Sequence, residues 1–222
     1  MDCSVVTCVT GNFNKVHYTD VDSAFVCTTI IDDSFKSHAN SNGWEIKQLP
    51  FNHTYDLKEG TRQSKYVKFL KFFVPETKYV IYADHKYKVL KEHLPLLINV
   101  LGDNSFLSFT NSKDIYREFF DSLSFDRYKK DLDEMIRTLK DHAHINSSAL
   151  DLFYGGLIMY NTHHEKFNVL RKKMEDYTEK YNHVQDQLLF PLALNDENKI
   201  LVHNTFGIQH ESPQLNVPGK TY

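Results

Sequence analysis

The chain lacks the glycine-rich and nucleophile signatures of the commonest enzyme classes. It has no GxGxxG, no Walker loop and no GxSxG, which leaves dinucleotide enzymes, kinases and serine hydrolases without support. No HExxH pair is present to announce a zinc site. Cysteine is scarce: Cys3, Cys8 and Cys27 are the only three, an odd number without metal-ligand spacing. That excludes a disulfide framework and points to reduced thiols in a cytosolic setting. The formal net charge of -3 offers no general attraction to nucleic acid or anionic membrane. The 13 Tyr and 16 Phe are scattered rather than interleaved with a basic tract, so an RNA-binding module is not indicated. No apolar run reaches membrane-spanning length, and the first residues lack the charged and apolar regions of a secretory signal. A soluble, cytoplasmic protein is expected, and the sequons at Asn52 and Asn146 then carry little weight.

What is present is a chain of 222 residues, enough for one sizeable core. "CSVVTCV" reads as a β-branched strand that breaks at Thr10-Gly11-Asn12. "AFVCTTII" is a second strand-length run closed by Asp32-Asp33, and "WEIKQLP" a third that stops at Pro50. Residues 61–75 have helical spacing, with Tyr66, Phe69, Leu70 and Phe73 on one face and Pro75 as terminator. "YVIYA" is a buried-type strand that runs into Asp84, His85 and Lys86. A helix near Pro95, the strand "SFLSFT", two amphipathic helices ("DIYREFFDSL" and "RYKKDLDEMIRTLKDHA") and the glycine-interrupted strand "DLFYGGLIMYN" follow. A helix over about 163–181, a shorter one around "QDQLLFPLAL" and the strand "KILVHNTF" complete the pattern. Alternation of strands and helices predicts an α/β fold: a mixed, mostly parallel sheet with helices on both faces, over residues 1–210. Residues 211–222 would form a tail, and "VPGKTY" would suit a linker to further domains.

Such sheets place chemistry at the C-terminal ends of their strands. Here those ends carry Thr10-Gly11-Asn12, Asp32-Asp33, Asp84-His85-Lys86, Asn161 and His203. Asp84, His85 and His203 could ligate a divalent metal, or be solvated strand ends. Arg62, Lys65, Lys68 and Lys71 suit phosphate oxygens, or a solvated helix face. Gly155-Gly156 within a strand predicts a bulge or a close approach to the backbone, with a plain kink as the alternative. Asp186 could cap a short helix or present a buried carboxylate to a sugar, and Asp151 is a second free carboxylate of interest.

In order, "VVTCVTGNFN", "AFVCTTIIDD", "GWEIKQLP", "TRQSKYVKFLKFFVPETKYVIYADHKYKVL", "DLFYGGLIMYN", "VQDQLLFPLAL" and "ILVHNTFG" resemble the nucleotide-sugar glycosyltransferases of the GT-A fold. The chain is similar to a poorly characterised glycosyltransferase-like group of plants and bacteria, and to transferases of large algal viruses. The resemblance spans roughly residues 3–210 and rests on the order of short motifs. It implies a uridine-diphosphate (UDP) sugar donor, transfer of a hexose-type sugar and a hydroxyl of a glycan as acceptor. Thr10, Gly11 and Asn12, with Asp32 or Asp33, would contact uridine and ribose. Arg62 and Lys65 or Lys68 would steady the diphosphate, and Gly155, Gly156 and Gln187 would lie beside the sugar. Asp186 or Asp151 would act as general base, or as stabiliser of an oxocarbenium-like centre. One departure stands out: Asp84 matches the first Asp of the D-x-D motif, but Lys86 occupies the second. A weakly bound Mn2+ or Mg2+ on Asp84, His85 and His203 is therefore one expectation, and charge screening by Lys86 the other. Two rival classes are a non-catalytic sugar-binding protein on a decayed transferase fold and a metal-dependent hydrolase.

Overall fold

The computed structural model describes residues 1–11, 13–111, 115–144, 152–182, 185–193, 199–202 and 208–210. The expected tail at 211–222 lies outside them, as do Asn12, Asp151 and His203. Strands β1 (Cys3–Val9), β2 (Ala24–Thr28), β3 (Glu45–Gln48), β4 (Tyr79–Ala83), β6 (Phe106–Asn111), β7 (Leu152–Asn161) and β8 (Lys199–Val202) form a seven-stranded sheet. Its order is β3-β2-β1-β4-β7-β6-β8. A two-stranded ribbon pairs β5 (Tyr87–Lys88) with β9 (Gln209–His210). Helices α1 (Asp33–Ser41), α2 (Leu57–Lys68), α3 (Leu94–Leu101), α4 (Ile115–Ser122), α5 (Asp126–Lys129), α6 (Leu132–His144), α7 (Phe167–Tyr181) and α8 (Asp186–Ala193) connect the strands.

The strand sequences explain why both faces are covered. All seven residues of β1 are buried, as a central strand demands. Successive residues enter opposite cores: Val5 and Val9 join Ile81, Leu107 and Met159 beneath α1 and α3, through Phe35, Ala39, Leu94 and Leu97. Val6 and Cys8 join Val80, Tyr82, Ile158 and Tyr160 beneath α7 and α8, through Leu170, Met174 and Phe190. The expected three-layer α/β architecture is thus observed.

Three details depart from the sequence reading. The expected helix over 61–75 is α2, which begins earlier, capped by Asp56 at the Glu59 amide (2.8 Å), and stops at Lys68. Leu70 takes a left-handed conformation (φ 55°), so the backbone turns before Pro75 is reached. Phe69 and Leu70 still bury fully, which is what their apolar spacing reported. The long amphipathic stretch from residue 127 divides into α5 and α6. Most consequential, β7 runs antiparallel to both β4 and β6, while the remaining pairings of the sheet are parallel. Asn161 therefore lies opposite Tyr79, at the far edge of the sheet from Asp84, and not among the converging strand ends. The reversal brings Gly155 and Gly156 to Asp84 instead, and the Gly156 carbonyl accepts the Asp84 amide at 2.8 Å.

Candidate functional site

Strand order reverses between β1 and β4, and the C-terminal ends of these strands mark the switch point at which open α/β sheets hold ligands. β1 leaves through Thr10 and Gly11, the latter at φ +67°. Thr10 Oγ1 donates to the Gly60 carbonyl of α2 at 2.8 Å. A Cβ on Gly60 would stand 3.4 Å from both Gly11 N and Gly11 Cα, so this loop is seated against α2. A glycine inside a helix costs about 1 kcal/mol against alanine. That local weakness at Gly60 was the signal for this contact in the sequence.

β4 ends on Asp84, and a tight turn follows in which the Tyr87 amide donates to the Asp84 carbonyl (2.8 Å). Tyr82, two residues back on the same strand face and almost fully buried, donates its hydroxyl to Asp84 Oδ1 at 2.9 Å. Lys65 and Lys68 lie three residues apart on α2 and share a face directed inward, at 7% and 3% exposure. Lys65 Nζ is 2.7 Å from Asp186 Oδ2, and Lys68 is hydrogen-bonded to the same oxygen. Lys68 Nζ also lies 3.9 Å from Asp84 Oδ1 and 5.4 Å from the Tyr82 ring centre. A solvated helix face describes Arg62, which meets Asn182, while Lys71 lies beyond the end of α2 and pairs with Glu175 and Glu179. It does not describe Lys65 and Lys68.

Gly155 accounts for the closeness. A Cβ there would sit 2.5 Å from Asp186 Oδ2 and 3.2 Å from Lys68 Nζ, so only glycine admits the carboxylate. The β6–β7 register shifts between Ser108 and Phe109, whose partners are Ile158 and Tyr154, so the predicted bulge falls on Gly155, Gly156 and Leu157. The nearest group to Gly155 is the Asp186 side chain.

Asp186 is held by its neighbours as well. Gln185 donates to Glu118 Oε1 at 2.9 Å and contacts Ser122 Oγ at 2.5 Å. Gln187 also points its side-chain amide at the Glu118 carboxylate, and chemistry assigns the nitrogen to that side, since a carboxylate only accepts. Glu118, 7% exposed, occupies the apolar stripe of α4 with Ile115, Phe119 and Ser122. An acid in such a stripe was legible as a signal, and sequence reasoning passed over it.

Two ammonium groups and two carboxylates thus meet in low dielectric, where each ion needs its partners. Burial opposes ionisation of Asp186, but Lys65 and Lys68 outweigh it and hold the carboxyl well below its usual range. Burial likewise opposes the Lys68 charge, and Asp186 and Asp84 override it upward. For Lys65 burial wins: against the pull of Asp186, and with Lys68 adding repulsion, it falls to about 8. Asp84 is held low because Lys68, Lys86 and Lys65 outweigh its burial. His85 packs its ring 4.3 Å from that of Phe13, and burial pulls it down to about 4 despite Asp84.

Asp32 and Asp33 stand apart from this cluster. Asp32 caps α1, accepting from the Ser34 amide at 2.6 Å, and the 97%-exposed Asp33 pairs with Lys36 at 3.1 Å. Of the residues expected to ligate a divalent cation, Asp84 and His85 are described, and His203 lies outside the described residues. No three His, Cys, Asp or Glu side chains among the described residues converge on one point. The Asp84 carboxylate is shared with Tyr82 and approached by an ammonium.

No known protein family matches the sequence, and no curated protein does. Solved structures do match in fold. The galactosyltransferase LgtC, solved with donor and acceptor sugar analogs, superposes with a TM-score of 0.51 at 15% identity over 89% of this chain and 72% of its own. The glycosyltransferase GlyE of Streptococcus pneumoniae gives 0.51 at 16% identity over 90% of this chain, which spans 44% of GlyE. The 4-diphosphocytidyl-2C-methyl-D-erythritol synthase of Anaerococcus prevotii gives 0.51 at 15% identity, over 96% of this chain and 93% of that one. The chain therefore has the GT-A-type fold. No helix among the described residues is long and apolar enough to cross a membrane.

Proposed function

We propose that this protein is a glycosyltransferase that moves a hexose-type sugar from a UDP-sugar to a hydroxyl of a glycan acceptor. The observation that carries the reading is the buried Lys65–Lys68–Asp84–Asp186 cluster at the switch point of a fold shared with sugar transferases. Departure of the diphosphate is the demanding step, and fixed charge aimed at the leaving group should contribute most to its acceleration. Lys68, and Lys86 in the turn after Asp84, are the groups for that task; Arg62 lies further out on α2. Thr10 and Gly11, seated on α2, offer a backbone surface to uracil and ribose. Asp186, strongly ionised and clamped by two lysines, is a poor proton acceptor. It suits the role of fixed negative charge facing an oxocarbenium-like centre, and the two lysines would be redistributed when the diphosphate arrives.

A second reading, nucleotidyl transfer, is favoured by the near-complete mutual coverage with the diphosphocytidyl compound's synthase. Turnover separates the two. The purified protein is incubated with a panel of UDP-hexoses and simple glycan acceptors, and separately with nucleoside triphosphates and sugar or polyol phosphates. The glycosyltransferase reading predicts UDP release that depends on acceptor. Pyrophosphate release from a triphosphate would replace it with nucleotidyl transfer. UDP-sugar binding without product in any mixture would leave a non-catalytic binder. Phosphate release without a nucleotide would favour the hydrolase.

A further inference from the structure

We infer that the site binds a nucleoside diphosphate without a divalent cation, lysine side chains supplying the charge that a metal bridge would. The inference rests on the nucleotide-sugar reading and concerns how that same site compensates the leaving group. Three observations support it.

First, the position after His85 that would carry a second carboxylate is Lys86, in the turn that the Tyr87 amide closes onto the Asp84 carbonyl. The turn thus sets a lysine two residues from Asp84, where the motif would have a second carboxylate.

Second, that carboxylate is already engaged. Tyr82 donates to Asp84 Oδ1 at 2.9 Å, and Lys68 Nζ stands 3.9 Å away from the same oxygen. A dication on Asp84 would be placed next to an ammonium that burial and Asp186 both hold in position. Repulsion between a dication and an ammonium at such range is severe in a partly dry site.

Third, the His85 ring is engaged by an aromatic neighbour. Its ring packs on Phe13 at 4.3 Å. The cluster also gathers ammonium groups where an anion would arrive: Lys65 and Lys68 meet at Asp186, and Lys86 follows in the turn after Asp84. Lysine is a competent phosphate partner as a point charge.

The test is calorimetric titration of UDP into the wild-type protein in chelator and again in manganese, repeated on Lys86→Met and Lys86→Asp. Wild type should bind UDP in chelator, with manganese changing the affinity less than threefold. Lys86→Met should lose about tenfold in chelator, the usual weight of one charge-assisted phosphate contact. Lys86→Asp should lose more in chelator, and manganese should not recover it while the Lys68 ammonium stands beside Asp84. Melting curves of both variants check that the half-exposed turn still folds. Wild-type binding that appears only with manganese would overturn the inference while keeping the nucleotide-sugar reading. Equal UDP affinity in wild type and Lys86→Met would remove Lys86 from the role and overturn it too. No UDP binding under either condition would remove both the inference and the reading beneath it.

Discussion

Lys65 and Gly155 are the residues at which the charge cluster is most exposed to experiment. Lys65 titrates at about 8 because burial outweighs its partner Asp186, where an ordinary lysine stands at 10.5. Between those values the unfolded chain holds a proton that the folded chain has released. The stability contribution of Lys65 therefore rises with pH from about 8 to 10.5, the opposite of a lysine strengthened by its partner. Affinity for an anionic donor should move the other way, because the ammonium is lost over the first part of that window. UDP affinity measured from pH 7 to pH 9.5 should fall above about 8, and Lys65→Met should flatten the profile. A wild-type profile flat across that range would detach Lys65 from the ligand. At Gly155 the argument is steric. Alanine would place a methyl 2.5 Å from Asp186 Oδ2 and 2.9 Å from its Cγ, so the carboxylate must leave Lys65 and Lys68. Overpacking of this kind costs about 1–3 kcal/mol. Urea unfolding of Gly155→Ala should show that loss, with turnover abolished. A variant as stable and active as wild type would mean that Asp186 is not held against β7.

At the scale of elements, the site is a meeting of α2, α8, β4 and β7, braced from behind by α4. Glu118 receives both glutamine amides that flank Asp186, and a carboxylate has two oxygens for them where a glutamine has one. Glu118→Gln should therefore free the first turn of α8, costing about 1–2 kcal/mol of stability. Turnover per folded molecule should fall about tenfold, with UDP affinity held within about twofold of wild type. Lowered stability with unchanged turnover would make α4 a structural brace alone. Much at this scale was written in the sequence. The β-branched run of β1 and the buried-type run of β4 set strands whose bounds match the chain, and Gly155-Gly156 marked a real bulge. The end of α2 was not legible, because Leu70 adopts a left-handed turn that its residue type does not advertise. Nor was the direction of β7. Its apolar pattern is the same for a strand running either way, so Asn161 was placed at the wrong edge.

For the whole molecule, the covered sheet explains why fold was easier to read than site. Each strand had only to be apolar in the right places for two cores to form, and such patterns survive in one sequence. The cluster depends on contacts 118 residues apart, between Lys68 and Asp186. No periodicity encodes that pairing; Lys68 came into view as a basic group of a helix and Asp186 as a cap or buried carboxylate, each apart from the other. The order of motifs supplied the GT-A-type expectation, and structures such as LgtC and GlyE bear it out as a fold. The chain also returns strand β9 to β5, which follows the Asp84 turn. The most direct test of the account is a crystal structure of the protein soaked with UDP in the presence of chelator. The account predicts the diphosphate against Lys86 and Lys68 at the ends of β1 and β4, with the uridine beside Thr10 and Gly11. A diphosphate bound elsewhere on the molecule, or none at saturating UDP, would contradict it.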